Sequence, residues 1–98
     1  MKNMKMLMIV YNHSLDDEMI ELLKNNEVSG YTKIENVKGE GGSEPHLGTN
    51  VWPATNSVIY CAVPAGQVAA IKKDGKALAA EFKGEGLRLF VWDLVEML

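Results

Sequence analysis

An α+β sandwich of order βαββαβ is predicted for this chain by three observations. Short apolar runs with strand-like alternation stand at the start, in the middle and near the end. Two stretches with helical spacing separate them, and Gly, Pro and Asn punctuate the joins. The 98 residues, 47% hydrophobic, are enough for a single domain, 1–98, with a modest core.

Met4–Tyr11 reads as the first strand, with Met4, Met6, Met8 and Val10 on one side and Leu7, Ile9 and Tyr11 on the other. Ser14 is expected to cap the next helix, whose first turn holds Asp16, Asp17 and Glu18 at the positive dipole end. Leu15, Met19, Leu22 and Leu23 form its apolar stripe, which runs to about Asn26. Gly30–Val37 is a second, more polar strand. From Lys38 to Asn56 no period is visible, and loops of that length usually carry function or lack order. Ser57–Val63 is a third strand, ended by Pro64 and apolar on both faces. Ala65–Phe82 follows as a helix with Val68, Ile71, Leu78 and Phe82 in register, and Gly75 on that stripe is expected to permit close packing. Leu87–Trp92 is the fourth strand, and Asp93–Leu98 reads as either a short fifth strand or a tail.

This order is the ferredoxin-like, split-βαβ arrangement: an antiparallel four-stranded sheet with a long loop between strands 2 and 3. Its strand directions bring three connections to one end of the sheet: Asn12–Ser14, the 38–56 loop and the Lys83–Gly86 turn. Both of the last two are rich in glycine beside a lysine, which lets backbone N–H groups approach a bound anion. Such a fold covers one sheet face with helices, yet the first, third and fourth strands are apolar on both. A second buried face is therefore expected, in a homo-oligomer with sheets facing one another.

A net charge of −3 argues against a nucleic-acid partner. The single cysteine, Cys61, excludes an internal disulfide and reads as a small buried hydrophobe. Met1–Tyr11 is too short to span a membrane and lacks a signal-peptide cleavage site, so a soluble cytoplasmic protein without membrane insertion is expected.

Gly30-Tyr31-Thr32-Lys33-Ile34-Glu35-Asn36-Val37-Lys38-Gly39-Glu40-Gly41 resembles the second strand and T-loop entry of the nitrogen-regulatory PII family and its PII-like relatives. Gly84-Glu85-Gly86-Leu87-Arg88-Leu89-Phe90-Val91 is similar to that family's B-loop and fourth strand. The resemblance implies a homotrimer with effector clefts between neighbours, and a T-loop that docks on a protein target. It places Lys38, Gly39 and Gly41 at the T-loop base and Gly84, Glu85 and Gly86 in the B-loop. Where the family has a B-loop lysine this chain has Leu87, and its nearest cation is Arg88. The 38–56 loop also lacks the family's Arg-Gln pattern and a tyrosine for modification. These departures favour a PII-like protein with a different ligand over ATP sensing of that type. An adenine nucleotide and a divalent transition metal are the effector classes expected.

Lys38 and Lys83 suit an anion, although Glu40 and Glu85 oppose a strongly charged one. Trp52 either stacks on a ligand or partner, or pins the loop to the body. His46, with His13 at the same end of the fold, is a candidate metal pair to which Glu44 or Glu85 would add a carboxylate. A metal-binding protein of the cation-tolerance type is thus the second reading, against solvated loop histidines. Met4, Met6 and Met8 would suit Cu(I) but are read as core. An enzyme is the third and weakest reading. The acylphosphatase pattern is absent, and although a general base could be built from His13 or His46, neither shows the paired acid or nucleophile of a recognisable catalytic motif.

Overall fold

In the computed structural model, which describes residues 3–38 and 55–98, alternation along the first strand decides where the core lies. Strand β1 (Met4–Asn12) fully buries Leu7, Ile9 and Tyr11, while Met4, Met6, Met8 and Val10 are only half-buried on the opposite face. With β2 (Thr32–Val37), β3 (Asn56–Pro64) and β4 (Leu87–Asp93) it forms an antiparallel sheet in the order β2-β3-β1-β4. Ile9 stands opposite Ile59 and Leu89, and Met8 opposite Tyr60 and Phe90, so each face continues across three strands. This is the α+β, ferredoxin-like architecture that the element order predicts.

Helices α1 (Asp16–Asn25) and α2 (Val68–Glu81) cover the face that carries Leu7 and Ile9. Leu15, just before α1, joins Met19 and Leu23 of α1, Ile71 and Leu78 of α2, and Ile59, Cys61 and Val63 of β3 in one cluster. Each large aliphatic side chain buried there stabilises the fold by roughly 1.5–3 kcal/mol. Burial also pushes the Cys61 thiol up, away from the reactive thiolate. Among the described residues no helix is long and apolar enough to cross a membrane.

Five expectations need correction or narrowing. Asn12, not Ser14, makes the first cap: its Oδ1 accepts the Ser14 N–H at 2.9 Å. Asn12 is the extended residue ahead of a 3₁₀ turn at His13–Leu15, whereas Ser14 lies inside that turn, so α1 begins only at Asp16. Strand β2 starts at Thr32, and its register shifts between Ile34 and Val37, where Asn36 has φ 61°. Of the two readings of the C-terminal segment, the tail holds: β4 ends at Asp93, and Leu94 adds one bond to Met4 O at 3.1 Å. The Met4, Met6, Met8 stripe is not part of the helix-covered core but lies on the sheet's other face.

Gly75 is buried, but a Cβ there would meet nothing within 4 Å, so close packing does not require it. Gly84 is different. Its φ of 94° is one that side chains with a Cβ rarely adopt, and it turns the chain from α2 into β4.

Candidate functional site

The three connections do meet at one end of the sheet. Asn12 N–H donates to Gly86 O at 2.9 Å, and His13 N–H donates to Thr55 O at 3.0 Å. Val37 pairs with Asn56, which also pairs with Asn12, so Lys38 leaves the sheet beside them. Within the 83–86 turn, Glu85 N–H closes on Phe82 O at 3.1 Å. The Glu85 carboxylate is half-buried, and its Oε2 has no hydrogen-bond partner among the described residues. A buried acceptor without a donor is costly, so this oxygen is a natural contact for a ligand N–H or O–H.

Beside this end lies a polar cluster built from β1, the 3₁₀ turn, α1, β2 and β3. Tyr11 Oη, from β1, donates to Asp16 Oδ1 at 2.5 Å, at the start of α1. Lys33 Nζ, from β2, donates to Asp16 Oδ2 at 3.0 Å and pairs with Glu35 Oε2 at 3.3 Å. His13 Nδ1 lies 3.0 Å from Oγ of the fully buried Ser57, which stands opposite Tyr11 in the β1–β3 register.

Charges in the cluster are tuned by these contacts. Burial pushes Asp16 up, but the hydrogen bonds from Tyr11 and Lys33, with the Lys33 charge, outweigh it and hold the carboxyl below its usual range. Burial, then the bond to Asp16, pushes the Tyr11 phenol well above its ordinary value. Hydrogen bonding to Asp16 raises Lys33, and Glu35 adds to that.

A concavity of about 220 Å³ opens between α2 and β4, at the other edge of the sheet from β2. Lys72, Lys76 and Arg88 line it with Gly75, Leu87 and Leu89, which gives a basic rim over an apolar floor. Leu87 packs against the core cluster, while exposed Arg88 turns its guanidinium back to Leu87 O at 3.1 Å.

Of the residues singled out from the sequence, Gly84, Glu85, Gly86 and His13 lie at the convergent end, with Lys38 and Lys83 exposed on its connections. Gly39, Gly41, His46 and Trp52 lie outside the described residues. His13 does reach carboxylates, but they are Asp16 and Glu35, not Glu85, among the described residues. Sequence reasoning missed Asp16, Lys33 and Glu35 as a group because α1 and β2 meet only in the folded chain. One signal was present: Lys33 sits at a helix-facing position of β2, paired with fully buried Ile59, where an apolar residue is the norm.

The sequence profile described as "Nitrogen regulatory protein P-II" matches residues 4–97. No curated protein matches the chain. Among solved structures, CPII, a nitrogen regulatory PII-like protein from Thiomonas intermedia K12, bound to ADP, AMP and bicarbonate, is similar at 24% identity and a TM-score of 0.73. That match covers 93% of this chain and 89% of the other. The same protein bound to ADP and bicarbonate is 25% identical with the same TM-score, covering 93% and 85%. A DUF3240 family protein from Shewanella baltica OS155 shares the fold at 16% identity and a TM-score of 0.72, covering 99% and 96%.

Proposed function

The chain belongs to the nitrogen regulatory protein P-II family, and on that premise we propose that it is a non-catalytic, cytoplasmic PII-like regulator that binds an adenine nucleotide between subunits of a homotrimer. The observation that carries this reading is the convergence of the Gly84–Gly86 turn, Asn12 and the roots of the 38–56 segment at one end of the sheet. The similar Thiomonas protein, solved with ADP and bicarbonate, supports the ligand class. Glycine at 84 and 86 lets a ligand approach the backbone closely at those two positions, and Glu85 Oε2 offers an acceptor for a ribose hydroxyl or an exocyclic amine. Lys83, Arg88, Lys72 and Lys76 put positive charge around the turn and the cleft below it, in place of the lysine that Leu87 replaces.

Assembly is supported by the sheet face that neither α1 nor α2 covers. Phe90 and Trp92 are each 45% exposed there, in line with Met8 and Met6 across the β1–β4 register, and Ile34 is 46% exposed on β2. An apolar face of this extent is costly in water and suits a facing sheet from another copy. Signalling would run through residues 38–56, whose surface toward a protein target changes with the bound effector.

The test is calorimetry and thermal unfolding of metal-stripped protein with ADP and AMP, each with and without bicarbonate. Ligand at a hundred times its Kd stabilises by about 2.7 kcal/mol, a readily measured rise in Tm. Absence of heat and of any shift with all four mixtures would refute the nucleotide reading.

A further inference from the structure

We propose that His13, Asp16 and Glu35 form a binding site for a first-row divalent metal ion, with the Lys33 ammonium as a tethered cation that the metal displaces. A ring nitrogen of His13 and one carboxylate oxygen each from Asp16 and Glu35 lie within 4.8 Å of one another. Donors sharing a metal at about 2.1 Å stand roughly 3–3.5 Å apart, so closure needs movement on the order of 1 Å. Glu35 is exposed on β2 and can make it once the metal displaces Lys33.

The three donors come from the turn after β1, the first residue of α1 and strand β2, so the fold itself holds them together. Two are oriented from behind by buried groups. Tyr11 Oη fixes Asp16 at 2.5 Å, and Ser57 Oγ holds the His13 ring through Nδ1 at 3.0 Å. Hydrogen bonds of this kind to histidine and carboxylate ligands set ring orientation and donor strength at metal centres.

Charge points the same way. Two carboxylates this close repel each other unless a cation lies between them, and Lys33 Nζ takes that place, 3.0 Å from Asp16 and 3.3 Å from Glu35. One positive charge leaves the pair with a surplus negative charge, which a dication neutralises. The donor set is one imidazole and two carboxylates, which suits zinc or its first-row neighbours and not Cu(I). The soft sulfur donors lie elsewhere: Cys61 is in the core, and Met4, Met6 and Met8 are on the open sheet face. Metal binding would join the start of α1 to β2 next to Asn36, where the β2–β3 register shifts.

Zn²⁺ added to the metal-stripped full chain at neutral pH, followed by calorimetry and by metal analysis after dialysis, tests the site. One zinc per chain is expected, with affinity at least tenfold weaker in His13→Ala and in Glu35→Gln. Lys33→Met removes the competing cation and is expected to bind zinc at least tenfold more tightly, a gain that a misfolded variant would not show. Zinc binding that survives both His13→Ala and Glu35→Gln overturns the assignment. So does loss confined to His46→Ala, no tightening in Lys33→Met, or no zinc bound to either the parent or Lys33→Met. ADP titrated in parallel reports on the nucleotide reading separately, so either proposal can fail alone.

Discussion

Tyr11 donates its phenolic proton to Asp16 at 2.5 Å, tying the end of β1 to the first turn of α1. Asp16 in turn receives Lys33, so one carboxylate links two strands and a helix. Hydrogen bonds to a charged group contribute roughly 1.5–3 kcal/mol, and Tyr11→Phe is expected to lower stability by about that much near neutral pH.

The pH dependence of that difference has a definite sign. Asp16 is held below its ordinary value in the folded protein, so its contribution is complete above about pH 4 and is lost as the pH falls through the folded value. The gap between parent and Tyr11→Phe in urea unfolding should therefore narrow from pH 6 toward pH 3. Tyr11 and Lys33 are raised, so their contributions are complete below about pH 10 and lost as the pH climbs above it. A constant gap across the acid range would place the effect in packing and not in the hydrogen bond.

Gly84 and Gly75 should respond to alanine in opposite directions. Gly84→Ala forces a Cβ onto a φ of 94° and is expected to cost about 1–2 kcal/mol. Gly75→Ala, mid-helix with open space at the Cβ, is expected to add roughly 0.5–1 kcal/mol. Denaturant midpoints of the two variants, measured side by side, decide it.

Phe90→Glu places a charge on the uncovered sheet face opposite Met8 while leaving the helix-covered core untouched. If that face is the subunit interface, light scattering should show the assembly reduced to monomer with native far-UV circular dichroism. An unchanged mass would move the interface elsewhere.

Nucleotide affinity should depend on the two charged residues of the turn and its exit. Glu85→Ala and Arg88→Ala are each expected to weaken ADP about tenfold, or ~1.4 kcal/mol, while Lys24→Ala on exposed α1 leaves it unchanged. Equal ADP affinity in all three variants would detach the ligand from the 84–88 segment.

Most of the architecture was legible along the chain. Alternation in Met4–Tyr11, helical spacing in Leu15–Leu23 and Val68–Leu78, and the order of these runs are local properties that survive without any contact. Strand directions in a βαββαβ chain then sufficed to bring Asn12, Lys38 and Gly86 to one end, because each helix returns the chain to where the next strand begins. Boundaries were less legible. A 3₁₀ turn at His13–Leu15 passes the cap from Ser14 to Asn12, and nothing in the local pattern distinguishes the two polar residues.

The sequence by itself determined the element order, the convergent end and the surplus of apolar strand faces. Only the tertiary structure decided which face of β1 the helices cover, leaving Leu7, Ile9 and Tyr11 inside and the methionines outside. It alone joined Asp16, Lys33 and Glu35, because residues far apart in sequence meet through the β2–β3–β1 register and the placement of α1 on it. Local pattern encodes which elements form, whereas the meeting of charged side chains depends on packing between elements, which no single segment contains.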